Sequence, residues 1–197
     1  MLMYVYSLFC VLLPCAVYQF IQQAKTPLQA HKIHHFAWVY ILLVYLHLVY
    51  SITGFGTLWD IGSHEYLISV NKIILIPFQS EGLMTYVSNI LLFVPLGFLL
   101  PLIWWEMRNL KHVCITGAAL SLSIEISQLL NNRYSDIDDL LMNIVGAMIG
   151  YGLWMVSYKI FEKTNEKAVS MNEKEAKLHL ILSALGYFFL YDWKLFL

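Results

Sequence analysis

Apolar residues along this chain gather into six runs of helical length separated by short polar stretches: Leu2 to Ile21, Phe36 to Phe55, Tyr86 to Trp105, Val113 to Leu130, Leu140 to Ile160, and Leu178 to about Trp193. A bilayer core about 30 Å thick takes roughly 20 apolar residues as an α-helix, since each residue advances the axis by about 1.5 Å. Each run therefore reads as a transmembrane span. A seventh apolar piece, Ile73 to Phe78, is too short to cross. Its Pro77 and polar flanks predict a re-entrant or interfacial segment in the loop between the second and third spans.

Polar positions inside the runs carry the second pattern. At about 100° per residue, Asp136, Asp139, Asn143, Gly146 and Gly150 fall within an arc of roughly 80°, so the fifth run carries one stripe of acids, amide and glycines. Gly146 and Gly150 form a small-x-x-x-small surface, which predicts that the stripe faces a neighbouring helix. On the fourth run Gly117, Ser121, Glu125 and Gln128 lie within a similar arc. Glu125 sits about five residues from the end of its run, where an unpaired carboxylate costs a few kcal/mol, so it should be paired, protonated or open to a water-filled pocket. Arg133, just past the turn, is the expected partner for Glu125 or for an aspartate of the next helix. The third run adds Asn89, then Pro95 and Pro101, which predict a kinked helix lining a cavity. A plainer reading competes throughout: Asp136 and Asp139 look like a helix cap and a first-turn acid.

Composition agrees with the pattern: 59% apolar and 13% charged residues with mean hydropathy +0.64 describe an integral membrane protein. The first run has no Lys or Arg before it, so it reads as an uncleaved span, not a signal peptide. Lys25, Lys32, Arg108, Lys111, Lys159, Lys163, Lys167, Lys174 and Lys177 fall in alternate loops, leaving Lys72, Arg133 and Lys194 on the other side. The first set predicts the cytoplasmic face, with both termini outside. A net charge of −1 gives no reason to expect nucleic acid. Cys10, Cys15 and Cys114 have neither disulfide nor metal spacing. Trp104, Trp105, Trp154, Tyr158 and Trp193 read as interfacial belt residues. His47 is expected to be a hydrogen-bonded structural residue or a proton carrier; His31, His34 and His35 read as a headgroup-level cluster or a metal site.

The order Asn89-Ile-Leu-Leu-Phe93-Val-Pro95-Leu-Gly97, Glu125-Ile-Ser-Gln128 and Arg133-x-x-Asp136-x-x-Asp139-x-x-x-Asn143-x-x-Gly146 resembles the signature of the VanZ-like membrane proteins. Ile76-Pro77-Phe78 resembles the family's loop element, with Asn71 a few positions before it. The resemblance covers roughly Phe36 to Ile160. It divides the chain into an N-terminal helix and loop (1–35), a four-helix VanZ-like core (36–160), and a linker with a C-terminal helix (161–197). The expected fold is an all-α polytopic bundle of about six transmembrane helices. The family implies a bacterial cytoplasmic membrane protein linked to lowered susceptibility to teicoplanin and lipoglycopeptides, or to envelope upkeep.

Three uses of the cluster follow. As an enzyme, Glu125 would be the general acid or base, with Asp136 and Asp139 as metal ligands or electrostatic anchors. Arg133 would clamp a phosphate or carboxylate while Asn89, Gln128 and Asn143 orient the substrate. Oxygen ligands suit Mg2+ or Ca2+. The substrate would be a lipid-linked cell-wall precursor. As a binding protein, the same pocket would hold a lipid headgroup, a precursor or a lipoglycopeptide without turnover. As a structural device, the polar groups would only lock the helices together.

Overall fold

The computed structural model describes residues 2–25, 30–62, 72–78, 82–131, 133–160 and 174–196. Six α-helices stand where the six runs predict them: α1 (Leu2–Lys25), α2 (Ala30–Thr53), α3 (Leu83–Ile103), α4 (Leu110–Gln128), α5 (Ile137–Ile160) and α6 (Glu175–Leu190). Four of them, α1, α2, α3 and α5, are long and apolar enough to cross a membrane. The other two differ from the expected six spans for visible reasons. Helix α6 has 16 residues, about 24 Å of axis. Helix α4 carries Lys111, His112, four Ser or Thr residues, Glu125 and Gln128 in its 19 positions.

Local chemistry sets the boundaries. Asn109 opens α4, its side chain accepting the Lys111 N–H at 2.9 Å. Helix α2 ends on Gly54, whose φ of +66° places it in the left-handed region that glycine tolerates best. The turn lets the Phe55 N–H reach back to the Tyr50 carbonyl at 2.9 Å and sets the two rings 4.8 Å apart at a tilt of 55°. Helix α3 runs unbroken through Pro95 and Pro101.

The seventh apolar piece contains a strand. Ile73–Ile74 (β1) pairs in parallel with Ser135–Asp136 (β2), Ile73 opposite Ser135 and Ile74 opposite Asp136. Two-residue strands leave no alternation to read, so the sequence could not announce this pair. Together they bring the loop before α3 onto the start of α5.

Packing divides the bundle into two halves, α1–α2–α6 and α3–α4–α5, that meet where α2 packs on α3. Helix α2 buries Val39, Leu42, Leu43, Leu46, Val49 and Tyr50 along one face, and α3 contributes Phe93, Leu96, Leu100 and Ile103. The most extensive pairing is α3 with α5; α1 pairs mainly with α6. In α1, Pro14 has no N–H for the Cys10 carbonyl, and Gly186 of α6 packs directly over that carbonyl and the proline ring. Polar contacts pin the same half: the Tyr50 hydroxyl meets Ser183 at 3.0 Å, and His35 pairs with Glu175 at 2.8 Å. Ser7 donates to the Tyr4 carbonyl, so its oxygen accepts from His47 Nε2 at 2.8 Å, which makes His47 a hydrogen-bonded helix contact. His35 therefore turns into the bundle while His34 is exposed; the His31 side chain lies outside the described residues. Trp104 and Trp154 are also buried, correcting their placement in an interfacial belt, whereas Trp105 is exposed. The loop residues Asn71, Lys163 and Lys167 lie outside the described residues.

Candidate functional site at the start of helix α5

Glycines bring the site's helices together. A β-carbon on Gly97 of α3 would collide with the Ala147 carbonyl of α5, and one on Gly146 or Gly150 would collide with the Ile90 or Val94 carbonyl of α3. From the other side Gly117 of α4 lies against the Ala147 methyl. The polar stripe of α5 thus faces protein on both flanks, as its small-residue spacing predicts. Asn143 bridges to α4, its Nδ2 donating to Ser121 Oγ at 2.9 Å. At 3% exposure its Oδ1 has no hydrogen-bond partner.

Four carboxyl side chains gather at the N-terminal end of α5, and three of them serve backbone N–H groups. Glu125 Oε2 accepts the Asp136 N–H at 3.0 Å. Asp136 Oδ1 accepts the Asp138 N–H at 2.9 Å, which makes Asp136 the helix cap. Asp138, fully buried, accepts the Phe78 N–H through both oxygens at 2.9 and 3.0 Å and the Tyr86 hydroxyl at 2.9 Å. Phe78 holds a φ of +63°, unusual for a residue with a β-carbon. Asp139 accepts from Asn89 Nδ2 across the α3–α5 seam. Asn89 and Asp139 are half-buried, while Glu125, Asp136 and Asn143 lie behind them at 5% exposure or less.

Gln128 and Arg133 go elsewhere. Gln128 Nε2 and Arg133 Nη1 both donate to the Thr53 carbonyl at the C-terminal end of α2, each at 2.7 Å. Asn131 Nδ2 takes the Gly54 carbonyl at 2.8 Å, and the Gly56 N–H donates to Ser127 Oγ at 3.0 Å. The guanidinium of Arg133, an exposed residue, lies over Gly54 where a side chain would otherwise stand. The expected pairing of Arg133 with Glu125 or a neighbouring aspartate is corrected accordingly. The last carbonyls of a helix lack intrahelical donors and carry the negative end of its dipole, so a guanidinium and two amides satisfy them well.

The expected residues therefore divide between two places. Asn89, Glu125, Asp136, Asp139 and Asn143 come together across α3, α4 and α5. Gln128 and Arg133 join α4 and its following turn to α2. Sequence reasoning gave no role to Asp138 or Tyr86: Asp138 is about 100° off the α5 stripe, and its donors are distant in sequence, Phe78 in the loop and Tyr86 on α3. Tyr86 lies three residues before Asn89, the helical spacing that could have flagged it. Among the described residues no group of three or more His, Cys, Asp or Glu could hold a metal ion, so Asp136 and Asp139 gain no third ligand of that kind for Mg2+ or Ca2+. A separate apolar groove of about 390 Å³ lies between α4 and α6, lined by Ile115, Leu120, Leu180 and Ile181 with Lys177, and holds none of these residues.

The family model VanZ/LLP1 matches residues 2–161. The chain belongs to the VanZ-like family. The match begins at the first turn of α1, ahead of the motif-bearing stretch from Phe36, and stops at the end of α5. The VanZ-like region therefore takes in α1, and α6 lies beyond it. No curated protein and no solved structure matches the chain. Four helices able to cross a membrane and membership of this family make it a VanZ-like membrane protein.

Proposed function

We propose that this VanZ-like protein contributes to teicoplanin-type glycopeptide or lipoglycopeptide resistance, or to upkeep of the bacterial cell envelope, by holding an envelope component at the start of α5. The observation that carries the proposal is the half-buried Asn89–Asp139 pair, with Glu125 and the unpartnered Asn143 Oδ1 behind it. Carboxylates and an unspent amide oxygen are acceptors, so they favour a ligand that presents N–H or O–H donors. With Arg133 turned to Thr53, a phosphate clamp has less support than a donor-bearing headgroup, stem peptide or lipoglycopeptide. In the bacterial cytoplasmic membrane, the Lys and Arg bias would place this end of α5 outside, within reach of lipid-linked cell-wall precursors and of the antibiotic.

Turnover is the second reading. Glu125 is a carboxyl at 5% exposure behind a half-open pair, a place suited to a general acid or base. The discriminating experiment expresses wild type and Glu125→Gln at matched membrane levels in a Gram-positive host. It then reads teicoplanin susceptibility together with lipid-linked precursors. Protection with unchanged precursors supports holding, protection with an altered pool supports turnover, and no protection by wild type sinks the resistance role.

A further inference from the structure

At the opposite end of α5 the bundle holds a different polar centre. Arg108, in the turn between α3 and α4, is enclosed by aromatic rings: its guanidinium carbon lies 4.8 Å from the Trp105 ring centre, 4.9 Å from Tyr158 and 5.6 Å from Trp154. The Tyr151 hydroxyl donates to the Arg108 carbonyl at 3.1 Å, and Arg108 Nε donates to the Pro101 carbonyl at 3.3 Å. The side chain is thus held by these rings and its Nε bond, and the backbone by Tyr151. Two N–H-bearing nitrogens in this stack have no acceptor: Arg108 Nη2 and Trp154 Nε1 are both shielded from solvent. A shielded donor without an acceptor is a standing cost, doubled here and compounded by a guanidinium charge. Guanidinium and indole N–H groups can only donate, so what completes them must accept.

We infer that Arg108 and Trp154 form a phosphate-binding site, with Trp105 as its cover. A tetrahedral oxyanion has oxygens enough for both nitrogens, and a guanidinium matches phosphate geometry in a way an ammonium does not. Trp105 is 54% exposed and lies over the guanidinium, whereas Trp154 is 4% exposed, so Trp105 is the less tightly packed cover of Arg108. Lys111 in the first turn of α4 and Lys159 in the last turn of α5, both exposed, add positive charge, against the carboxylate of Glu106 in the turn before Arg108. The shared chemistry is a phosphate group, from a phospholipid headgroup or free in solution. This site is independent of the acidic one and of the function proposed for it.

The test uses the purified full-length protein in detergent and follows its unfolding temperature against dihexanoyl phosphatidylglycerol, dihexanoyl glycerol lacking phosphate, and inorganic phosphate. Wild type should be stabilised by the phosphatidylglycerol and not by the phosphate-free lipid. Trp154→Phe keeps the ring and removes the N–H, and should raise the half-saturating lipid concentration at least tenfold. Arg108→Lys keeps the charge, loses the fork, and should do the same. Equal stabilisation by inorganic phosphate identifies the free ion as the source, and lipid-only stabilisation identifies the headgroup. The inference is overturned if phosphatidylglycerol acts no better than the phosphate-free lipid, or if both well-folded variants respond as wild type does.

Discussion

Two helix ends meet beside one another in this bundle and are finished in opposite ways. At the start of α5, side-chain carboxylates accept from backbone N–H groups of Asp136, Asp138 and Phe78. At the finish of α2, side-chain donors from Gln128, Asn131 and Arg133 serve the carbonyls of Thr53 and Gly54. Each end attracts the charge its dipole favours. A row of acids, amides and one arginine that reads as a single pocket along the sequence is therefore two fittings. Unpartnered buried amide oxygens occur at both, Asn143 Oδ1 at the acidic end and Gln128 Oε1 and Asn131 Oδ1 at the other, so what sets the acidic end apart is its carboxylates.

The comparison rests on the close approach of α3 and α5, so the largest effect should come from breaking it. Gly97→Val drives a side chain into the Ala147 carbonyl and should abolish folded protein in detergent extracts, whereas Gly152→Ala, with nothing within 4 Å of its new carbon, should fold as well as wild type or better. Size-exclusion yield reads both. Next comes Asp138→Ala, which strands the Phe78 N–H and the Tyr86 hydroxyl; a loss of about 3 kcal/mol in chemical unfolding is expected. If Asp138→Ala proves neutral, the acidic end is not held together by its carboxylates.

A smaller structural effect is expected at Glu125. Glu125→Gln keeps an oxygen for the Asp136 N–H, so stability should change by less than about 1 kcal/mol while the susceptibility phenotype is lost. A parallel fall in stability and phenotype would make Glu125 a fastening and not a working group. The smallest effect belongs to the α2 end. Arg133→Gln should cost at most about 1 kcal/mol, and combining it with Gln128→Ala should cost more than the two single changes together, because the two donors share the Thr53 carbonyl. Strict additivity in that double-mutant cycle would mean that the carbonyl does not depend on them.

Helix positions were legible because long apolar runs act locally, whereas the ends set by Asn109 and Gly54 were not read: the runs begin the fourth helix at Val113 and end the second at Phe55, where the helices begin at Leu110 and end at Thr53. The face of α5 was legible too, since Asn143, Gly146 and Gly150 share one stripe. What could not be read was direction beyond the helix: nothing near Arg133 in sequence distinguishes a bond to Glu125 from one to the Thr53 carbonyl 80 residues earlier. Asp138 was hidden for the same reason, its donors lying 52 positions away on α3 and 60 positions away in a loop too short to show a period. Trp104 illustrates the converse, since a tryptophan near a predicted span end matches both a belt and a core, and only packing decides.

The seat of Gly186 over the Cys10 carbonyl has a consequence for how this protein is made. Helix α1 leaves the ribosome well before its principal partner α6, with nearly 150 residues between them. Until α6 arrives, the carbonyl that Pro14 leaves without a donor has no helix packed over it. The α1–α6 seam therefore closes after the α3–α5 seam, and a chain arrested between α5 and α6 holds the second finished and the first open.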